Sequence, residues 1–352
     1  MKAVTILTDM HIRKSNTLTE PTLLKEQDIL MRKILSRIYE VSEKVAEHYV
    51  IFAGDLIHNT LDSTTQAQTI LWLNDINSLC AGVYSVIGNH ELTYMKKGNI
   101  FWNLAYGSNL KVPVKFEHYR DLIHVEEGFR IDDCYFKLWH YGQEWLPITD
   151  KTVKDLVVVG HNAVKFPGLK ETYDNNGVNI QELYVNYCDL ARCLTNPEIL
   201  KWIFLGHMHS LVGRFKFDEE INGKHFNFML ENMGSMSRTD STQFNITRQR
   251  NMPTLYIDGS IQNVESHIIE LTDKSVLCEE EISKRQEIYQ KGKFIKQLKQ
   301  TEFNEVDVVS EIESIYAFEL EKLEMFRQAL HSEQDRNIAN AVNYLYSVNL
   351  YE

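Results

Sequence analysis

Short apolar runs alternate with segments of helical periodicity over the first 90 residues of the chain. Ala3–Thr8 is apolar and β-branched, which predicts a buried strand. Apolar residues recur at helical spacing within Leu24–Val45, and Tyr49–Ala53 predicts a second strand. A second helical pattern covers residues 70–79, and Val83–Ile87 predicts a third strand. This βαβαβ order predicts a parallel sheet with helices packed on its faces.

Further strands are predicted beyond residue 130, where apolar runs are short and separated by polar loops. Three of these runs are Tyr135–Trp139, Leu156–Val159 and Trp202–Leu205. Two antiparallel pairs are predicted around dipeptides that end in glycine. Their strands are Leu211–Phe217 with His225–Leu230, and Leu255–Asp258 with Val264–Glu270. The whole pattern predicts one α/β domain over residues 1–270.

The character of the sequence changes after residue 270. Residues 271–310 form a small predicted cap or linker region, with six basic side chains between positions 284 and 299. In residues 311–352, apolar positions at helical spacing predict two terminal helices. These helices either pack on their own domain or form a partner-binding arm, because an apolar stripe serves both purposes.

Composition restricts the class of protein. Hydrophobic residues make up 43% of the 352, which excludes a largely disordered chain. No apolar run approaches the roughly 20 residues of a membrane helix, so no membrane association is expected. The five cysteines form no CxxC pair, and the N-terminus reaches Asp9 too early for a secretory signal. A reducing, cytoplasmic location is therefore expected.

The net charge of −12 argues at first against a nucleic-acid-binding protein, because an acidic surface repels phosphates. The acidity is concentrated at the end of the chain. Residues 301–352 hold 11 acidic and 3 basic side chains, so the first 300 residues carry a net charge of only −4. The overall charge therefore says little about the main domain, and any contact with DNA must be local.

Residue types that bind metals recur directly after five predicted strands. The clusters are Asp9-Met10-His11, Gly54-Asp55, Gly88-Asn89-His90, Gly160-His161 and Gly206-His207-Met208-His209. Each cluster alone is unremarkable. Because the carboxyl ends of parallel strands build the sites of open α/β folds, the five clusters are expected to converge on one edge of a sheet. The glycines let the backbone turn tightly and bring ligands close to an ion.

The donor types indicate a two-metal centre. Carboxylate, imidazole and amide oxygen together suit Mn²⁺, Fe²⁺ or Zn²⁺ better than Mg²⁺ or Ca²⁺, which prefer oxygen ligands, and Mn²⁺ is our first choice. An aspartate between two clusters can bridge ions about 3.5–4 Å apart. Two such ions lower the pKa of a shared water, which then attacks as hydroxide, and they neutralise a phosphoryl group during in-line attack.

These residues resemble the calcineurin-like metallophosphoesterases, whose motifs are D-x-H, GD, GNH, H and GHxH in that order. The resemblance covers about residues 1–270 and implies a layered α/β/β/α-type sandwich. It implies one metal held by Asp9, His11, Asp55 and His209, and a second held by Asp55, Asn89, His161 and His207. It also implies that His90 lies near the leaving-group oxygen and acts as general acid or stabilises the transition state.

Two further segments resemble a subgroup, the SbcD-type DNA repair nucleases. Gly54–His58, followed by Ser63, is similar to their GDLFHxxxPS segment, and Gly234–Asp240 is similar to a GSxxRTD-type segment. This resemblance, which extends to phage-encoded versions of similar length, implies a homodimeric DNA nuclease. It also implies terminal helices that dock on the coiled coil of an SbcC-type ATPase, in a complex for DNA recombination and repair.

Candidate DNA contacts are the basic side chains around these segments. They are His58, Lys96, Lys97, Arg238, Arg248 and Arg250, together with the basic stretch at residues 284–299. Each also has a simpler interpretation, since such residues often belong to a loop or a solvated face. A stand-alone phosphatase or phosphodiesterase, acting on a small molecule or a phosphoprotein, remains the alternative to a nuclease. The complete ligand set argues against a non-catalytic scaffold.

Overall fold

The computed structural model describes residues 1–13, 21–58, 61, 63–95, 104–105, 107–111, 128–145, 152–165, 185–186, 197–209, 213–221, 223–237 and 250–270. The chain divides into two compact units, and the first comprises Met1–Thr239 and Thr247–Val276. The second comprises Asp240–Ile246 and Leu277–Glu352, which lie outside the described residues. The terminal helices predicted at 311–352 and the cap predicted at 271–310 lie outside them too and stay predictions.

The elements of the described residues include the strands and the two helices predicted within residues 1–270, in the predicted order, and several short elements that were not predicted. They are β1 (Lys2–Leu7), α1 (Pro21–Ser42), β2 (Glu47–Ala53), α2 (Ser63–Leu79), β3 (Gly82–Val86), α3 (Asn89–Met95), β4 (Gly128–Ile131), β5 (Cys134–Trp139), β6 (Asp155–Gly160), β7 (Val164–Lys165), β8 (Val185–Asn186), a 3-10 turn (Pro197–Ile199), β9 (Leu200–Leu205), β10 (Gly213–Ile221), β11 (Lys224–Asn232), β12 (Asn251–Asp258) and β13 (Ser260–Ile268). None of the described helices combines the length and the apolar character of a membrane-spanning segment.

The first sheet has the strand order β13-β12-β1-β2-β3. Its strands β1, β2 and β3 are parallel neighbours, as the βαβαβ pattern predicted. The β12–β13 hairpin, also predicted, joins antiparallel to β1, with Val4 opposite Leu255. The three parallel strands therefore all end at the same edge of this sheet.

The second sheet has the strand order β10-β11-β9-β6-β5-β4. Strands β5, β6, β9 and β11 are parallel, and β4 and β10 close the sheet as antiparallel edges. The predicted hairpin around Gly223 is confirmed as β10 and β11. The sequence did not predict β4, whose four residues are mostly partly exposed and carry little apolar signal.

The two sheets pack against each other through fully buried side chains, among them Val4 and Ile51 of the first sheet and Phe136 and Phe204 of the second. Helices α1 and α2 cover the other face of the first sheet, where Trp72 and other helix residues pack on strand residues. The mixed α/β fold with two stacked sheets is confirmed. The outer helical layer expected on the second sheet is not among the described residues.

Candidate metal centre

The five strand ends meet, but they belong to two sheets. Strands β1, β2 and β3 lie in the first sheet, whereas β6 and β9 lie in the second. The expectation that all five clusters share one edge of a single sheet is therefore wrong. Because the sheets are stacked and their parallel strands end on the same side, side chains such as His161 of the second sheet reach Asp55 of the first.

Four predicted ligands have a left-handed backbone. The φ angles are 47° at Asp9, 45° at His11, 50° at Asp55 and 77° at His207. This region is unfavourable for residues with a side chain, and such strain is held where the surroundings over-determine it. Here the Asp9 N–H donates to the carbonyl of Gly54 at 3.1 Å, and the His11 N–H donates to the carbonyl of Asp55 at 2.9 Å. The turns after β1 and β2 thus hold each other in the strained conformation.

Two glycines let the loops of the two sheets approach. A Cβ atom at Gly206, after β9, would overlap Thr8 Oγ1 and lie 2.6 Å from Asp9 Oδ2. A Cβ atom at Gly54, after β2, would lie 2.7 Å from the Cβ of His161. Both distances are shorter than carbon atoms tolerate, so the junction between the sheets requires glycine at these positions.

The first donor set consists of Asp9, His11, Asp55 and His209, whose donor atoms all lie within 4.8 Å of one another. His209 Nε2 is 2.8 Å from Asp9 Oδ1 and 2.9 Å from His11 Nε2. His11 Nε2 is 3.8 Å from Asp55 Oδ2. The carboxylates and the ring of His11 are buried, and the side chain of His209 is 29% exposed.

The second donor set consists of Asp55, Asn89, His161 and His207. His161 Nε2 lies 3.2 Å from Asp55 Oδ2 and 3.1 Å from Asn89 Oδ1. His207 Nδ1 lies 3.0 Å from the same Asn89 oxygen. Asp55 Oδ2 therefore belongs to both donor sets, in the position that a bridging ligand requires.

The donor atoms fit two divalent cations. His11 and His209 point Nε2 at each other, and at most one of the two nitrogens can donate a proton in that contact. His161 donates from Nδ1 to the carbonyl of Ala53 at 2.7 Å, which leaves the lone pair of its Nε2 for a metal. A cation in each donor set would satisfy the converging lone pairs together. Nitrogen and oxygen ligands in this mixture suit Mn²⁺, Fe²⁺ or Zn²⁺.

The charges of the centre favour cations. Burial alone raises the pKa of Asp9, but the positive charge of His161 and hydrogen bonds from His11 and His209 outweigh it and hold that pKa well below the ordinary value. Burial lowers the pKa of His161, yet the carboxylates of Asp9 and Asp55 outweigh burial and raise it to about 9. The proton on its Nε2 is therefore one that a bound cation would replace. The buried carboxylates are thus ionised and demand positive charge, which metal ions would supply.

His90 lies beside both donor sets. Its Nε2 is 3.9 Å from Asp55 Oδ2, and its side chain is 28% exposed. The ring donates from Nδ1 to the carbonyl of His58 at 2.7 Å, which fixes its orientation. The His90 N–H donates to Asp55 Oδ1 at 2.9 Å. This placement, next to the shared carboxylate and open to solvent, is the one that the predicted general acid requires.

Of the two predicted DNA contacts among the described residues, His58 and Arg250, His58 lies at the centre. Its ring stacks on that of His90, with centroids 4.9 Å apart, and its Nδ1 is 3.2 Å from His11 Nδ1. Its contact with DNA stays a prediction. Four of the other candidates lie outside the described residues, and they are Lys96, Lys97, Arg238 and Arg248.

Arg250 does not lie on the surface. Its side chain is 2% exposed, Nε donates to the carbonyl of Met236 at 2.7 Å, and Nη2 lies 3.4 Å from Glu26 Oε1. This guanidinium is buried and bonded within the protein, so it does not contact DNA, and the expectation for Arg250 is wrong. The error arose because charge patterns in a sequence carry no information about burial.

Glu91 is a residue of the centre to which the sequence assigned no role. It is fully buried, and its Oε2 accepts hydrogen bonds from the N–H groups of Asp55 at 2.9 Å and Gly88 at 2.8 Å, while Oε1 accepts from Ile57 at 3.1 Å. Burial and the charge of Asp55 raise its pKa to about 7. Glu91 thus joins the turns after β2 and β3. The signal for it was a carboxylate directly after the Gly-Asn-His cluster.

Known structures give low similarity to this chain. They include an NAD nucleotidase of Haemophilus influenzae (11% identity, TM-score 0.40, 76% of this chain and 50% of that one). A 5′-nucleotidase precursor of Thermus thermophilus has 12% identity and a TM-score of 0.40, over 85% of this chain and 60% of that one. A sulfate thiohydrolase of the same organism, in complex with glycerol, has 10% identity and a TM-score of 0.42, over 80% of this chain and 59% of that one. The chain spans half to three-fifths of these proteins. No curated protein matches it.

The family, in contrast, is clear. A family model described as calcineurin-like phosphoesterase matches residues 2–211, which is more than half of the chain. The matched range contains both donor sets and His90. The chain therefore belongs to the calcineurin-like phosphoesterases, which are metal-dependent hydrolases.

Proposed function

We propose that the protein is a metal-dependent DNA nuclease, the nuclease subunit of an SbcCD-type recombination and repair complex, with Mn²⁺ as its metal. The observation that carries the proposal is the stacked pair of His58 and His90 beside the shared carboxylate of Asp55. His58 is the histidine of the Gly54–His58 segment, which resembles the SbcD-type nucleases. The pair therefore joins the subgroup motif to the chemistry of the centre.

The protein's residues would divide the work of phosphodiester hydrolysis. Divalent cations at the two donor sets would supply an activated water and neutralise charge on the phosphoryl group. Asp9 and Asp55 hold the negative charge that binds these cations, and the hydrogen bond from His161 to Ala53 fixes one ligand ring. His90, oriented by the carbonyl of His58, would donate a proton to the leaving oxygen.

The charge distribution is compatible with DNA as the substrate. The first 300 residues carry a net charge of only −4, and two divalent cations would offset that charge formally. The acidic residues 301–352 also contain the apolar stripes of the predicted terminal helices. An apolar stripe supports docking on a partner, which an SbcC-type ATPase would provide and a small-molecule phosphatase would not need.

A nuclease assay tests the proposal. The full chain with Mn²⁺ is incubated with linear and hairpin DNA, with and without the co-encoded ATPase, and in parallel with 5′-nucleotides and p-nitrophenyl phosphate. We expect cleavage of DNA, stronger with the ATPase, and weak release of phosphate from the monoesters. His90→Asn serves as the inactive control. Hydrolysis of the monoesters alone would instead support the stand-alone phosphatase.

The partner is tested by deletion of residues 311–352. We expect the shortened chain to lose binding to the ATPase and to keep Mn²⁺-dependent hydrolysis of a generic phosphodiester, because the donor sets lie within residues 9–209. Binding is measured by co-purification or calorimetry. Normal binding of the shortened chain would contradict a docking arm at these residues.

A further inference from the structure

A sixth strand end reaches the metal centre, namely the turn after β5. The N–H of Tyr141 donates to the carbonyl of Ile87 at 2.9 Å, and the N–H of Ile87 donates back to His140 Nδ1 at 2.9 Å. Ile87 is two residues before Asn89 of the second donor set. The turn of the second sheet is thus tied to the ligand-bearing turn of the first.

Buried polar side chains fix the rest of this turn. Asn162, the neighbour of His161, accepts the N–H of Gly142 at 3.0 Å and donates to the carbonyl of His140 at 2.9 Å. Gln143 Oε1 accepts the N–H of His140 at 3.1 Å. These three side chains, of His140, Gln143 and Asn162, are at most 7% exposed. A network in which buried polar groups are paired makes a turn rigid.

This rigid turn presents the ring of Tyr141 at the centre. The ring centroid lies 5.2 Å from that of His207 and 6.3 Å from that of His161, both in the second donor set. Its neighbours Trp139 and Trp145 are buried in the apolar cluster of the second sheet, whereas Tyr141 is only partly buried. His90, in contrast, contacts His11 of the first donor set, with centroids 4.9 Å apart.

We infer that Tyr141 is a substrate contact, which stacks on the nucleoside next to the scissile phosphate and makes the centre prefer diesters that carry a base. A phosphate bound at the two donor sets would have His90 beside the first set and Tyr141 beside the second. In a nucleic acid the scissile phosphate has a nucleoside on each side. An aromatic ring stacks on any base, so this contact is independent of sequence. The inference rests on the proposed function.

Two diesters with the same leaving group test it. Thymidine 5′-(p-nitrophenyl phosphate) carries a nucleoside, and methyl p-nitrophenyl phosphate does not. We expect Tyr141→Ala to lower kcat/KM for the thymidine diester about 5- to 150-fold, the range of one lost base stack, mainly through KM. Hydrolysis of the methyl diester and the metal content should stay unchanged. Tyr141→Phe, the matched control, should stay within about twofold of the wild type, since it keeps the ring.

Direct binding gives a second readout. With Ca²⁺ in place of Mn²⁺, Tyr141→Ala should weaken binding of a labelled single-stranded oligonucleotide, measured by fluorescence anisotropy, and should leave binding of an abasic oligonucleotide unchanged. An equal loss on both diesters, or lost metal, would mean that Tyr141 only supports the ligands and would overturn the inference. A Tyr141→Phe variant as weak as Tyr141→Ala would overturn it as well, because the hydroxyl would then make the contact.

The nuclease proposal and the Tyr141 inference can fail independently of each other. If the wild type cleaves no DNA but its preference for the thymidine diester depends on the ring of Tyr141, the nuclease proposal is wrong and the nucleoside contact stands. If the wild type cleaves DNA and Tyr141→Ala cleaves it equally well, the nuclease proposal stands and the contact is wrong.

Discussion

The two sheets contribute different chemistry to the metal centre. The first sheet supplies the two carboxylates and the amide, through Asp9, Asp55 and Asn89, together with one imidazole. The second sheet supplies only imidazoles, and they are those of His161, His207 and His209. Each donor set combines ligands of both sheets. The centre is therefore built at the junction of the sheets, where the carboxylates of one sheet are completed by the imidazoles of the other, and neither sheet alone provides a complete donor set.

Backbone strain is also distributed unequally between the sheets. Three ligands of the first sheet have positive φ angles, Asp9, His11 and Asp55, whereas His207 is the one such ligand of the second. The strained turns of the first sheet are joined to each other, and Glu91 joins the turns after β2 and β3. The first sheet thus builds the rigid anionic half of the centre, and we expect changes there to have the larger effects.

The largest effect is expected from Asp55→Asn, because Asp55 Oδ2 belongs to both donor sets. The substitution keeps the shape and removes the charge that two cations share. We expect loss of both metals and a fall in diester hydrolysis of at least about a thousandfold, since the cations supply several kcal/mol of charge stabilisation. Elemental analysis and the diester assay measure the two effects.

The matched control is Asp155→Asn. Asp155 is also a buried carboxylate, but it begins β6, at the end opposite His161, and accepts the N–H of Ile261 at 2.8 Å. This variant should keep both metals. If Asp55→Asn retained two metals at full occupancy, Asp55 would not be the bridging ligand.

His90→Asn separates chemistry from ligation. Because His90 lies outside both donor sets, we expect phosphodiester cleavage to fall about 10²- to 10⁴-fold, the usual contribution of a general acid, while the metal content stays intact. His225→Asn, on the exposed hairpin, is a control that should change neither quantity. Loss of both metals from His90→Asn would show that this histidine is a ligand.

The ligands of both sheets could be predicted from sequence because each directly follows a strong apolar run. His161, for example, comes after the six buried residues of β6, and Asp9 follows β1 closely. Local periodicity defines such strands, and glycine next to a polar residue marks their ends. Local periodicity does not predict which strands share a sheet, because neighbouring strands can lie far apart in the sequence, as β1 and β12 do.

Roles that depend on contacts between turns also remained hidden. The role of Glu91 depends on N–H groups of its own turn and of the turn after β2, and the role of Tyr141 depends on the ring of His207. A sequence shows neither which turns are neighbours nor which charges are buried, as Arg250 demonstrates. The fold and the convergence of the candidate metal ligands were therefore predictable from residues within single strands and turns, and the supporting residues were not.

Gly206→Ala tests the contact between the sheets. The added Cβ would overlap Thr8 Oγ1 and approach Asp9 Oδ2, so the turn after β9 must move away from the first sheet. We expect metal affinity to fall about 10- to 100-fold, as when an outer-sphere partner of a ligand is lost. Gly223→Ala is the control, since its Cβ would meet nothing within 4 Å and only its φ of 73° is unfavourable. Equal metal affinity of the two variants, measured by titration calorimetry, would argue against a steric requirement at Gly206.

The smallest effect is expected at the opposite end of the first sheet, at His48 in β2. Its ring nitrogens lie 2.8 Å from Thr5 Oγ1 and from Ser42 Oγ, and burial lowers its pKa to about 4. The unfolded chain, with an ordinary histidine pKa near 6.5, binds the proton first. Stability should therefore fall as the pH decreases from about 6.5 to 4, by up to about 3 kcal/mol from this residue.

His48→Gln should lose less stability than the wild type between pH 7.5 and 5, measured by urea unfolding, while its metal content and its activity at pH 7.5 stay unchanged. A stability difference that is the same at both pH values would show that His48 is not the group that titrates, and a loss of metal would show that the two ends of the sheet are not independent.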